Sequence, residues 1–203
     1  MSTPVVGVTG PIGAGKTTFS KFLTEQGGRH LDADKMAHEL MMPGHEAYDS
    51  VVDEFGTYIT DEEGYIDPRL LGEEVFSNPD KLKRLESIIH PLVYKKIKQI
   101  VSKPRESFYV IDAPLLFEAQ VDRLCHWTIC VTAPEAVVNK RVRLSDSELE
   151  RRRKRQLSGQ EKAERADEIV DNSGSLSHLQ RKAEEVARKL QPGGELFDAA
   201  ESG

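Results

Sequence analysis

Three glycines, Gly10, Gly13 and Gly15, stand between two segments of opposite character. Before them runs Val5–Thr9, apolar and β-branched, which reads as a short buried strand. After them, from Lys16, Phe19, Phe22 and Leu23 recur at helical spacing until Gly27-Gly28 supplies a stop. The glycines therefore join a strand to a helix. Gly10–Thr17 reads G-P-I-G-A-G-K-T and fits the pattern G-x-x-x-x-G-K-[ST] in full. The chemistry calls for each part. Consecutive backbone N–H groups point inward at phosphate oxygens, and Cβ atoms would obstruct that approach. The N–H groups that open the helix face the same anion. Lys16 can reach the β- and γ-phosphates, and the Thr17 hydroxyl can ligate Mg²⁺. A nucleoside triphosphate is expected here, bound by Pro11, Ile12, Gly13, Ala14, Gly15, Lys16, Thr17 and Thr18.

The rest of the chain alternates strand and helix patterns. His30–Ala33 is a candidate second strand, ending in "DAD". "FYVID" (Phe108–Asp112), "TICVT" (Thr128–Thr132) and "EIVDN" are further strands. "APEAVVNKRV" fits a helix with Pro134 in its first turn. Leu176, Leu179, Ala183, Val186, Ala187 and Leu190 give a last amphipathic helix. Such alternation implies an α/β fold: a parallel sheet flanked by helices on both faces. Two stretches interrupt it. Lys35 to Lys103 reads as a helical insertion. Within it Tyr48, Val51, Val52 and Phe55 share one face, "TDEEGYIDP" is a loop or hairpin, and Pro91 should kink or split a long stripe of leucines and isoleucines. The second interruption is the basic run Arg141–Arg155, expected as a lid, with capping-box patterns at Ser147–Glu150 and Ser158–Glu161. The expected organisation is a nucleotide-binding core (4–34, 104–138 and 165–191), a helical domain (35–103), a lid (139–164) and a flexible tail (192–203).

Composition narrows the function classes. A net charge of −6 argues against a broad nucleic-acid surface. Cys125 and Cys130 are the only cysteines, too few for a disulfide framework or a four-ligand zinc site, and Cys130 reads as a core thiol. No run approaches the ~20 apolar residues of a membrane span, and no signal-peptide pattern opens the chain. A monomeric cytoplasmic protein without membrane or nucleic-acid partners is the expectation.

A triphosphate site serves kinases and switches alike. GTP switches read guanine with N-K-x-D; "NKRV" (Asn139–Val142) has Val142 in place of the aspartate and falls inside a predicted helix. Several features suit a kinase. Asp32 and Asp34 lie at the carboxyl end of a strand, where ligands of open parallel sheets sit. Either could take a proton from an acceptor hydroxyl or hold Mg²⁺ through water. Asp112 ends a strand as a carboxylate that holds a water on Mg²⁺ would. Pro114, Leu115 and Leu116 make an apolar loop suited to a substrate. Most arginines of the basic run fit a solvated helix face. Arg141, near the predicted hinge, is placed to offset charge on a transferring phosphoryl group.

The combination resembles the dephospho-coenzyme A kinase family. The likeness runs from about Val5 to Leu190 and rests on "VTGPIGAGKTT", "LDADKMAHELMMPG", "EEGYID", "VFSNPDKLKRLESIIHP", "IDAPLLFE" and "QLSGQEKAERADEIVDNSGS". The resemblance implies transfer of the ATP γ-phosphate to the 3′-hydroxyl of the ribose of dephospho-CoA, the last step of coenzyme A synthesis. It implies a P-loop core, a helical coenzyme-A-binding domain and a lid. It assigns Asp34 to the acceptor hydroxyl, Arg141 to the transferring phosphate, His90 to the substrate domain and Asn172 to the loop near adenine. Pro11, Ala14 and Thr17 depart from the family's usual loop, and Thr17 keeps the hydroxyl. Pro68 replaces a frequent arginine, with Arg69 next in line. The alternatives are another small P-loop kinase acting on a nucleoside monophosphate or shikimate, and then a GTP-binding switch.

Overall fold

The computed structural model describes residues 3–76, 78–103, 105–142, 149–150, 153 and 156–202. Contacts divide the chain into two units: Met1–Asp32 with Ile100–Gly203, and Ala33–Gln99.

In the first unit, β1 (Val5–Thr9), β2 (Arg29–Asp32), β3 (Tyr109–Asp112), β4 (Trp127–Thr132) and β5 (Glu168–Asp171) form one sheet in the order β2-β3-β1-β4-β5. Every neighbouring pair is parallel. β1 is the central strand and all five of its residues are buried. That is why its sequence is a continuous apolar run rather than an alternating one. The register sets Val8 beside Asp112 on one side and Ile129 on the other. Asp32 pairs in turn with Asp112. Two carboxylate residues therefore end neighbouring strands, beside the strand that runs into the glycine loop.

Helix α1 (Lys16–Thr24) follows that loop and buries Phe19 and Leu23. The same core cluster takes Leu179, Ala183, Val186 and Leu190 from a late helix, Leu176–Leu190. At roughly 1.5–3 kcal/mol per buried leucine or phenylalanine side chain, this face holds the two helices to the sheet. Cys130 is fully buried in β4, as a core thiol should be.

Three sequence expectations are corrected. The tail expected over 192–203 carries a helix, Glu195–Ser202, after a turn at Gly193. Its Leu196 is only 5% exposed and joins the core cluster. Glu195 also meets Lys189 at 3.5 Å. Proline and two glycines mark a tight turn here, and Leu196 ties the helix beyond it to the core. Pro134 is the N-cap of its helix, Glu135–Arg141, rather than a first-turn residue. Its backbone at ψ 145° is still extended. The third correction, in the second unit, is the split expected at Pro91 as the alternative to a kink, which the helix does not show.

The second unit contains α2 (Ala33–Leu40), α3 (Tyr48–Phe55), α4 (Pro68–Phe76) and most of α5 (Pro79–Val101). Helix α5 runs unbroken through Pro91 for 23 residues. A mid-helix proline removes one backbone hydrogen bond, at about 3 kcal/mol. Ile89, Val93 and Ile97 are buried on both sides of it, and their burial is large enough to offset that cost. Between α3 and α4, Thr60 and Ile66 form an antiparallel bridge around an aspartate turn, whose Asp61 Oδ1 accepts from the N–H groups of Glu63 and Tyr65. Of the loop or hairpin expected here, the structure has a loop closed by a single bridge.

Among the described residues the first unit also has the helices α6 (Glu135–Arg141), α7 (Gly159–Arg165), α8 (Leu176–Leu190) and α9 (Glu195–Ser202). The Ser158–Glu161 capping box opens α7 with both reciprocal bonds in place. The Ser147–Glu150 box and most of the basic run lie outside the described residues.

Candidate phosphate-binding site

The loop between β1 and α1 takes its shape from glycine. Gly13 and Gly15 have φ of 77° and 95°, in the left-handed region that costs other residues about 1–2 kcal/mol. Space closes off the same positions. A Cβ on Gly15 would overlap the Asn172 amide, and one on Gly13 would come within 2.6 Å of Val142 Cγ2. The glycines therefore serve two purposes: they let the backbone turn, and they let neighbouring elements come against it. Gly15 is also the N-cap of α1 and offers no side-chain cap to the first turn, which holds no acidic residue. The N–H groups at this helix start are thus left to a ligand, and the helix field there favours an anion.

Gly15→Ala tests this packing. It should lower ATP affinity by tenfold or more, on the order of 1.4 kcal/mol, from strain and the displaced Asn172 amide. Isothermal titration with an ATP analogue would measure it, and unchanged affinity would contradict the role given to the loop.

Asn172 follows β5 and is 4% exposed. Its Nδ2 donates to the Ala14 carbonyl at 2.7 Å, and its own N–H donates to Thr132 at 2.7 Å. The residue that the resemblance assigned to adenine thus uses its amide to brace the phosphate loop from below. Arg141, at the end of α6, donates from Nη2 to the Asn172 carbonyl at 3.5 Å. Arg141 Nη1 lies 3.7 Å from where a Cβ on Gly15 would stand. The structure therefore gathers Gly15, Arg141 and Asn172 at one spot. Lys16 begins α1 and is half-buried, Thr17 is exposed, and Thr18 is half-buried. Pro11 and Ile12 line an open pocket of about 560 Å³ together with Val138, Arg153, Leu157 and Ser158.

Asp112 is 3% exposed, and neither of its carboxylate oxygens has a hydrogen-bond partner among the described residues. His30 Nε2 stands 3.4 Å from Oδ2. A buried carboxylate without hydrogen bonds is costly and calls for a ligand or a cation. This donor set fits a magnesium ion that takes one or two protein oxygens and completes its shell with phosphates and water. Among the described residues no cluster of three or more histidine, cysteine, aspartate or glutamate side chains forms a dedicated metal cage.

Pro114 and Leu115 follow Asp112 and are half-buried, with Leu116 fully buried beneath them. Asp34 and His90 belong to the second unit. Asp34 is an exposed residue in the first turn of α2. His90 is half-buried, one residue before Pro91. Arg69 is exposed and pairs with Glu73 Oε1 at 3.0 Å on α4. Sequence reasoning passed over three buried or half-buried polar groups of the first unit, His30, Glu118 and Lys162. The capping box at Ser158 placed the start of α7 but gave no sign that Lys162 turns inward.

The family model described as dephospho-CoA kinase matches residues 4–178 of this chain. The chain belongs to the dephospho-CoA kinase family. It is, with that family, an ATP-dependent phosphotransferase. A dephospho-CoA kinase of Aquifex aeolicus is 38% identical over 189 residues, covering 91% of this chain and 96% of that one. That of Symbiobacterium thermophilum is 39% identical over 198 residues, covering 94% and 82%. Among solved structures, the dephospho-CoA kinase of Campylobacter jejuni superposes with a TM-score of 0.70 at 28% identity, covering 95% of this chain and 99% of that one. A Thermus thermophilus protein superposes at 0.76 with 32% identity, covering 92% and 97%. Membership of the dephospho-CoA kinase family leaves the GTP switch and the shikimate-type or nucleoside-monophosphate acceptor without support. No helix among the described residues is long and apolar enough to cross a membrane.

Proposed function

We propose that this chain transfers the γ-phosphate of ATP to the 3′-hydroxyl of the ribose of dephospho-coenzyme A, giving coenzyme A and ADP, with Mg²⁺. The observation that carries the reading is the family match over residues 4–178, which takes in the whole phosphate loop and its Asn172 brace. Gly13–Thr18 hold the phosphates through backbone N–H groups, and Lys16 bridges the β- and γ-phosphates. Mg²⁺, when bound, neutralises charge between those phosphates. Thr17 would offer it a hydroxyl, and Asp112 would hold it through water. Asp34 orients the acceptor hydroxyl and takes its proton. Arg141 offsets charge on the phosphoryl group in transit. His90, Pro114 and Leu115 contact the acceptor. A monomer in the cytoplasm completes the proposal, and elution at the mass of a single chain would support the first half of that statement.

The experiment supplies ATP, Mg²⁺ and dephospho-CoA to the purified protein and looks for coenzyme A and ADP by chromatography. Shikimate and nucleoside monophosphates serve as competing acceptors. Folded protein that makes no coenzyme A would overturn the reading. The metal role of Asp112 has its own test. Asp112→Asn should raise the Mg²⁺ concentration for half-maximal rate about 10-fold or more, in line with residues that hold a metal through water. The same Mg²⁺ dependence in variant and parent would remove Asp112 from the metal site.

A further inference from the structure

Lys162 is a lysine with none of its surface exposed. It lies in the first two turns of α7, where the capping box fixes the helix start. Its ammonium turns inward, donates to the Pro114 carbonyl, and pairs with Glu118 Oε1 at 3.1 Å. Glu118 Oε1 also accepts from the Leu157 N–H at 2.7 Å, just before α7. Glu118 Oε2 is buried without a hydrogen-bond partner among the described residues. Thr9 Oγ1, at the end of the strand that leads into the phosphate loop, donates to the same Pro114 carbonyl at 3.4 Å. The Lys162 charge also reaches the Cys130 thiol, which burial pushes up against the lowering effect of Lys162 and then Lys16.

One buried ammonium thus holds both ends of a five-residue stretch: the carbonyl of Pro114 at its start and the carboxylate of Glu118 at its end. Between them Leu116 is fully buried. The Leu115 carbonyl accepts from Ala119 at 2.9 Å. Pro114, Leu115 and Phe117 are the apolar side chains of the stretch that stay partly exposed. As a source of stability the arrangement is poor. Burying a lysine and a glutamate costs about as much as their attraction returns, and two apolar side chains of similar volume would serve equally. A buried, hydrogen-bonded ion pair does something an apolar pair does not: it fixes one geometry for the backbone it holds.

We infer that Lys162 and Glu118 are positioning residues for the acceptor, fixing the stretch from Pro114 to Glu118 so that Pro114 and Leu115 present one apolar surface to it. This rests on the reading of Pro114 and Leu115 as acceptor contacts. The pair itself touches no reacting atom.

The test separates positioning from simple support. The double variant Lys162→Met/Glu118→Gln removes both charges at nearly constant volume and so avoids a lone buried ion. It should raise the KM for dephospho-CoA by roughly 10-fold and leave the KM for ATP within about twofold. Glu118→Gln alone keeps the acceptor for the Leu157 N–H and should shift the acceptor KM in the same direction by about threefold. This single variant decides the matter if the double variant does not fold. Leu115→Ala is run alongside. If it raises the acceptor KM and the pair variants do not, the pair is only structural and the inference is overturned. Equal rises in both KM values overturn it as well. If Leu115→Ala has no effect on the acceptor KM, the acceptor reading of the loop fails and takes the inference with it, and the other arms show which of the two was at fault.

Discussion

Replacing Asp34 with asparagine should lower turnover about 10³-fold, the scale of a lost general base, while ATP binding stays within about twofold. The substitution keeps size and hydrogen-bonding shape and removes only basicity and charge. Asp34 is exposed in the first turn of α2, where the helix-terminal charge effect is about 0.3–1 kcal/mol. Coupled detection of ADP gives kcat, calorimetric titration gives ATP affinity, and thermal melting checks the fold. Turnover within tenfold of the parent would remove Asp34 from proton transfer. A rate that no longer falls on the acid side of the pH profile would mark the lost group as the base itself.

Lys16→Met should cut kcat/KM for ATP by about 10²–10³-fold, the range for removing one preorganised donor from a transferring group. Lys16 is the first residue of α1, and methionine preserves both helix propensity and most of the stem's volume. Its Tm should therefore stay within a few degrees of the parent's. The size of the loss relative to ATP binding is informative. A drop confined to kcat places the ammonium on the phosphoryl group in transit. An equal drop in ATP affinity places it on the ground-state phosphates.

The parts of the fold that were legible in the sequence are those written in local spacing. Val5–Thr9, the three glycines and the Phe19–Leu23 stripe specify strand, loop and helix within twenty residues, and the structure has them in that order. Phe108–Asp112, Thr128–Thr132 and "EIVDN" are short segments with β-branched residues whose strands begin or end within one residue of the expected bounds. What escaped depends on groups distant in sequence. Asn172 lies 158 positions from the carbonyl it braces, and Lys162 lies 48 from Pro114. Neither contact leaves a periodic trace. Pro91 does not split its helix because the loss of one backbone hydrogen bond is outweighed by burial on both sides of it. The final helix was missed because it is short and follows a proline and two glycines, although Leu196 ties it to the core.

The brace from Asn172 to Ala14 also orders events in time. The glycine loop leaves the ribosome before the residues that shape it: Val131 beside Gly10, Val138 and Val142 beside Gly13, and Asn172 beside Gly15. A chain made from its N-terminus at about 5–20 residues per second therefore carries an unfinished phosphate loop until β5 and the residue after it have emerged. Truncated or stalled chains ending before Asn172 should hold no nucleotide. ATP would then stabilise only molecules whose chain already reaches Asn172.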